Sequence, residues 1–335
     1  MRAHSFLAAG VAATLLVAGC FDPTGDPGPI VYVPEADHTL TRDQTHNRFS
    51  RTIPPVLRVQ SGAVIRAETE EATDGQLTAD STAADLAGLD FGLIHPLTGP
   101  VYVEGAEPGD VLKVTLHHLE LGDWGWVAST PDFGFLADEF PEPFLKIFRF
   151  EPGARFAEFA GRQIPLRPFP GVMGVAPDTD EMLSTIPPRA NGGNMDNQYL
   201  TAGTIVYFPV FVKGALFSIG DPHAAQGDGE VCGTAIEAPM TITYELEVLK
   251  DRGPIQEPHY ETADAYAVTA FAATLDEAAR KATGYMIDYL VQQQGMDRME
   301  AYVLCSLAGD LKISEVVDVP HVLVSMHLPK NLLGG

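Results

Sequence analysis

Residues able to do chemistry crowd into one stretch, residues 190–234, ANGGNMDNQYLTAGTIVYFPVFVKGALFSIGDPHAAQGDGEVCGT. Ahead of an apolar, β-branched run at 204–212 it offers Asn191, Asn194, Asp196 and Asn197. After a second run at 215–219 it offers Asp221, His223, Gln226, Asp228 and Glu230. Polar groups gathered at both ends of one buried strand are the raw material of a site. Asp221 and His223 are two apart and share a face if the segment is extended. His95, at the head of His95-Pro96-Leu97, and Glu104, which closes a short apolar run at a Gly, widen the set; Asp74, in Thr73-Asp74-Gly75-Gln76, is an additional candidate ligand. A mixed His/carboxylate set suits Zn²⁺ or a similar ion with an open position, which lowers the pKa of bound water toward ~7. A lone His in a core and an Asp-Gly turn are also ordinary structural features, so spacing alone leaves the metal role open.

A second chemistry is covalent. Cys232 follows Glu230 by two residues, and a thiolate beside a carboxylate and a basic group can attack an amide. No Lys or His adjoins Cys232, and small thiols are common in cores. Serine catalysis lacks its Gly-x-Ser-x-Gly elbow.

The elements that must position these residues are mostly strands. Leu57 and Val59, then Val64 and Ala67, flank Ser61-Gly62 as two short runs joined by a turn. Runs at 101–103, 111–121, 144–150, 164–169, 204–212 and 240–249 repeat the pattern, each bounded by Gly, Pro or Asp. Many short strands with Gly/Pro turns predict a mainly β chain, a sandwich or barrel, over 34–253. A loop at 122–141 carrying Trp124, Trp126, Phe133 and Phe135 is a candidate pocket wall. After Gly253 the period changes. Thr274 with Glu277 forms a capping signature, Ala278, Ala282, Tyr285, Met286, Tyr289 and Leu290 share a helix face, and Gly295 closes it. A second helix runs to Ala308 with Met299, Tyr302, Val303 and Leu307 inward, and strands at 311–317 and 322–328 follow. Residues 254–335 thus read as a packed α+β subdomain.

Residues 1–20 read as a leader. Arg2 and His4 precede an apolar run at 6–17, and Val17-Ala18-Gly19-Cys20 is a small-residue cleavage site ending in Cys. The run is shorter than the roughly 20 residues a spanning helix needs. It resembles a bacterial lipoprotein signal, which would make Cys20 the acylated N-terminus of an exported, envelope-anchored protein. Residues 21–33 are a Pro/Gly-rich linker. The formal charge of −24 becomes −25 without Arg2, 20 basic against 45 acidic residues. Such a surface repels nucleic acid and anionic lipid and leaves small ligands or metal ions as partners.

Four blocks together carry a resemblance: HPLTGPVYVEGAEPGDVL, NGGNMDNQYLTAG, FSIGDPHAAQGDGEVCGTAIE and AYVLCSLAGDLKISEVVD. In order and over nearly the whole mature chain, they resemble the signature blocks of the acetamidase/formamidase family, hydrolases of short aliphatic amides. The resemblance implies a jelly-roll-like β-sandwich with a C-terminal α+β portion, homo-oligomers, and a divalent metal, Zn²⁺ first and Ca²⁺ second. It implies that His95, Asp221 and His223 stand near the metal with Asp74 as a further ligand. Glu230 or Glu104 would act as general base and later acid, and Asn194, Asp196 and Asn197 would bind the amide. One departure is that Phe49 and Ser50 follow His46-Asn47-Arg48, where formamidase-like members carry Trp and His, which puts formamide in question. A non-catalytic ligand-binding lipoprotein on the same fold, and a Cys232-dependent amidase, are the alternatives.

Overall fold

Alternating apolar residues build two large sheets that face one another across a core. The computed structural model describes residues 33–334, so the leader, Cys20 and nearly all of the linker lie outside the described residues. In chain order the principal strands begin with β1 (His38–Leu40), β2 (Ala63–Thr69), β3 (Leu97–Val103), β4 (Val111–Leu121), β5 (Trp124–Ser129) and β6 (Phe144–Arg149). β7 (Phe169–Gly174), β8 (Gly192–Asn194), β9 (Ile205–Pro209), β10 (Phe217–Ala225), β11 (Ile236–Glu237) and β12 (Met240–Leu249) follow. The chain ends with β13 (His259–Glu261), β14 (Ala265–Ala272), α1 (Leu275–Gln294), α2 (Arg298–Ala308), β15 (Asp310–Glu315) and β16 (Val322–Pro329).

The first sheet has the order β1-β2-β12-β4-β9-β13-β14-β16-β15. The second runs β8-β7-β10-β11-β5-β6, with β3 also paired to β10. Between the sheets, Ile65, Leu112, Leu116, Phe208, Ile242 and Tyr244 of the first meet Met173, Phe217, Ile219 and Val101 of the second in one core. Burying each large side chain there contributes about 1.5–3 kcal/mol. On its other face the first sheet is covered by α1 and α2, where Val268, Met326 and Leu328 pack against Ala282, Met286, Leu290 and Cys305. Residues beyond 254 thus add strands to the same sheet as the N-terminal part. Among the described residues no helix is long and apolar enough to cross a membrane.

Helix α1 follows its sequence signals, with the Thr274 side chain accepting the Glu277 N–H at 3.3 Å and Gly295 in the left-handed region at φ 67°. Helix α2 turns the other way from the expected face. Ala301 and Cys305 point in, while Met299 and Leu307 are 68% and 79% exposed, with Tyr302 and Val303 also outward. The small residues let the helix lie close to β16, and the larger face is left outside.

Four of the strand and loop expectations differ from the structure. Leu57–Val59 and β2 do not form a hairpin, because the first pairs in parallel with β3 and the second with β12 in the other sheet. The run at 164–169 ends where β7 begins. The expected loop after Ile219 is strand as far as Ala225. Pro222 hid that strand, yet it sits directly opposite Pro170 of β7, a pairing in which neither residue supplies a ladder N–H. Within the expected loop at 122–141, residues 124–129 are the strand β5.

Candidate active site

Strand register assembles the site. His223 of β10 lies opposite Phe169 of β7 and Glu237 of β11, Glu237 lies opposite Trp126 of β5, and Trp126 opposite Ile147 of β6. All these pairs are antiparallel, so the five side chains form one row across five strands. Alternate positions of β10 carry Phe217 and Ile219 into the core and then Asp221 and His223 into a cavity. His95, Asn194, Asp196, Glu230, Glu237 and Asp318 also line it.

The polar atoms converge without satisfying one another. His223 Nε2 lies 3.0 Å from Glu237 Oε2 and 3.4 Å from Asp221 Oδ2, and His95 Nε2 lies 3.8 Å from that same Asp221 oxygen. His95 Nδ1, Asn194 Oδ1, Asp196 Oδ1, Asp221 Oδ1 and Glu237 Oε2 are buried and have no hydrogen-bond partner. Gln226 fixes the imidazole tautomer. Its Nε2 donates to the Asp196 carbonyl at 2.6 Å, leaving its Oε1 to face His223 Nδ1 at 2.9 Å. The proton therefore sits on Nδ1, and Nε2 is turned toward the carboxylates.

Five carboxyls line this buried space against two imidazoles. Burial, then Asp196 beside it, raises Glu230 well above the usual carboxylate range. Burial raises Glu237 to about 7, raises Glu315 behind the cavity to about 8, and pushes Asp318 well up. Asp221 goes the other way. Burial opposes its charge, but His95 and His223 hold it at about 2. For His223, burial is outweighed by Glu237 and Asp221, which raise it well above its ordinary value.

An excess of buried negative charge with orphaned oxygens fits a cation. His223 with Asp196 and Asp221, His223 with Glu230 and Glu237, and Asp196 with Glu230 and Asp318 each bring their donor atoms within 4.8 Å of one another. That is the spread a cation bonded at about 2.0–2.4 Å can bridge. Gly171 of β7 leaves the space open, since a Cβ there would come 2.5 Å from Asp196 Oδ1 and 2.8 Å from Asp221 Oδ2. Asp196, Asp221 and Glu230 all hold positive φ, at 38°, 51° and 47°. Such strain is of order 1–3 kcal/mol per residue and collects at functional sites.

The structure brings His95, Asp221, His223, Glu230, Asn194 and Asp196 together, with Asp196 among the possible cation ligands rather than apart from them. It does not bring in Glu104, whose side chain is outside the cavity and 3.5 Å from Arg58. Asp74 is exposed in a turn after Glu71. Asn197 is buried outside the lining, donating to Ser325 Oγ at 3.2 Å. Cys232 does not line the cavity, and its thiol donates to the Thr234 carbonyl at 3.4 Å. Glu237 and Asp318 also belong to the site, although no sequence motif groups them with it. The available signal was a carboxylate enclosed by apolar residues, Ala235-Ile236-Glu237-Ala238 and Val316-Val317-Asp318-Val319. Trp126 and Phe133 of the expected wall line the cavity, whereas Phe135 is exposed.

Fold and site together define a mainly β protein built around an acidic, cation-competent cavity. The sequence profile described as the acetamidase/formamidase family matches residues 34–184 and 179–334, and the chain belongs to that family. It is an amidase acting on short amides. It is 31% identical to an acetamidase of Mycolicibacterium smegmatis over 64% of this chain and 69% of that protein. It is 28% identical to a formamidase of Methylophilus methylotrophus over 86% of this chain and 89% of the other. A crystal structure of an acetamidase from Bacillus halodurans superposes with a TM-score of 0.82 at 33% identity, covering 88% of this chain and 97% of that one.

Proposed function

We propose that the cavity hydrolyses short linear amides to carboxylate and ammonia with water activated at a divalent metal. The observation that carries this reading is the convergence of His223 Nε2, Asp221, Glu237 and Glu230 on a space of about 60 Å³. One water needs about 10–15 Å³ on that scale, so the space takes roughly four to six water-sized groups, enough for an ion, a water and a small amide. Asp196, Asp221 and His223 would hold the ion, which when bound lowers the pKa of water and polarises a carbonyl. A donor set containing an imidazole nitrogen favours Zn²⁺ over Ca²⁺, which takes oxygen ligands.

Glu230, its pKa raised by burial, is suited to take a proton from the attacking water and return it to the departing nitrogen. The carbonyl carbon gains the water oxygen, the C–N bond breaks, and ammonia leaves. Asn194 Nδ2 is engaged by Asp318 at 2.8 Å, so its free Oδ1 is the acceptor for an amide N–H. Export, lipid attachment at Cys20 and homo-oligomers belong to the same proposal, supported by the leader sequence and by the exposed apolar side of α2. Neither the thiol route nor a purely ligand-binding role has a comparable observation behind it.

The test is ammonia release from formamide, acetamide and propionamide by the chain lacking residues 1–20, before and after chelation and with Zn²⁺ restored. Turnover lost on chelation and regained with metal is expected. Turnover indifferent to chelation and abolished by Cys232→Ala would overturn the metal mechanism.

A further inference from the structure

The cavity lining is polar only in part. Ala72, Leu86, Ile94 and Trp126 are buried apolar members of it, and Phe91 and Phe133 stand edge to face at 6.4 Å, Phe91 being 44% exposed. Trp126 is placed by register. It lies directly opposite Glu237, so the two side chains project to one side with Cβ atoms about 4.5–5.5 Å apart. The indole therefore borders the carboxylate that faces His223.

The one polar atom of that indole is already committed. Trp126 Nε1 donates to Glu71 Oε2 at 2.8 Å. The buried Glu71 carboxylate also accepts from Thr73 N at 3.0 Å, Thr73 Oγ1 at 2.6 Å and Gly75 N at 2.8 Å. Four donors on one carboxylate make a rigid clamp. What the ring offers the cavity is apolar surface in a single orientation.

We propose that Trp126, clamped by Glu71, is a specificity-determining residue that reads the acyl carbons of the substrate, so that acetamide and propionamide are preferred to formamide. The inference rests on the amide-hydrolase reading and adds acyl selectivity to it. Formamide carries hydrogen where the others carry carbon and gains nothing from the wall. Each carbon buried against it is worth roughly fourfold in kcat/KM.

The experiment compares kcat/KM of the metal-loaded full chain for formamide, acetamide, propionamide and butyramide. Expected is a rise of about tenfold or more from formamide to propionamide. Trp126→Leu is expected to compress the propionamide-to-formamide ratio by about tenfold, mainly through KM, and Trp126→Phe to keep most of it. Trp124 and Trp126 are the two tryptophans of the sequence, so in Trp124→Phe the emission of Trp126 is read alone. It should shift with propionate and not with formate, a result that does not depend on Trp126→Leu folding. A wild-type preference for formamide, a natively folded Trp126→Leu with an unchanged ratio, or emission indifferent to propionate would each overturn the proposal while leaving the hydrolase reading intact. A chain releasing ammonia from none of the four would overturn both.

Discussion

His223 Nε2 approaches Glu237 Oε2 to 3.0 Å, and no other group donates to that oxygen. With Nδ1 occupied by Gln226 Oε1, a neutral His223 directs a lone pair at a carboxylate oxygen. The arrangement is repulsive unless a proton or a metal ion stands between them. Against burial, Glu237 and Asp221, whose oxygen is at 3.4 Å, raise His223 well above its ordinary value, so in the metal-free chain a proton takes that place and a metal ion displaces it.

Gln226 is accordingly the residue that orients the ligand rather than one that binds the ion. Gln226→Leu keeps the volume and removes the acceptor from Nδ1. Metal affinity is expected to fall 10–100-fold, as for other outer partners of ligating histidines. Competition titration with a chelating dye measures this directly, and unchanged affinity would remove Gln226 from that role.

Gly171 is required by space, not by backbone angle. A methyl at this position meets Asp196 Oδ1 at 2.5 Å and His223 Cε1 at 2.8 Å, inside any allowed contact. Gly171→Ala should therefore displace the ligands, with activity lowered at least 100-fold and stability reduced by about 1–3 kcal/mol. Metal analysis should show less than one equivalent. A variant that keeps full metal and full turnover would mean that the Asp196 side chain is not a fixed part of the centre.

Much of this fold is written locally. The cap at Thr274, the left-handed Gly295 and the alternation of β12 need only neighbours in sequence, and they appear where the residues place them. The end of β10 does not, because Pro222 is tolerable only opposite Pro170, a partner about fifty residues away in the chain. The site divides the same way. Asp221, His223 and Glu230 announce themselves in a dense polar stretch. Glu237 and Asp318 each sit alone among apolar residues and become site residues only through strand register and the return of the C-terminal segment. Glu104 misled for the opposite reason, since a carboxylate at the end of a strand near a Gly is equally a surface ion pair with Arg58.

The boundary of the site is testable at the residues left outside it. Glu104→Gln removes one side of an exposed ion pair, worth at most about 1 kcal/mol, and should leave kcat/KM within about twofold. Asp74→Asn should do the same. Cys232→Ser should also retain turnover, because its thiol bonds the Thr234 carbonyl away from the lining. A loss beyond tenfold in any of the three, with native circular dichroism, would redraw the site.

The buried carboxyls also set how the metal-free chain responds to pH. Glu315 is raised from 4.5 to about 8 and Glu237 from 4.5 to about 7, in both cases by burial first. Below about 4.5 each is protonated whether the chain is folded or not. Above it the unfolded chain releases protons that the folded chain keeps, so stability declines with rising pH by about 1.4 kcal/mol per unit for each group until the folded value is passed. Asp221, held at about 2 against 3.8, works in reverse, and its contribution is lost only as pH falls below about 4. Burial lowers His46, His259 and His327 to about 4, 3 and 4, and these work against the carboxyls below about pH 6.5, so it is from pH 6.5 toward pH 8 that chelated protein should melt progressively lower. Glu315→Gln should remove about one proton's worth of that slope. Metal binds the ionised carboxylates, so saturating Zn²⁺ should flatten or reverse the trend over the same range. Melting curves of chelated wild type, chelated Glu315→Gln and Zn²⁺-loaded wild type across pH 4.5–8 measure all three. Parallel curves for the two chelated forms would mean that Glu315 is already ionised in the folded chain.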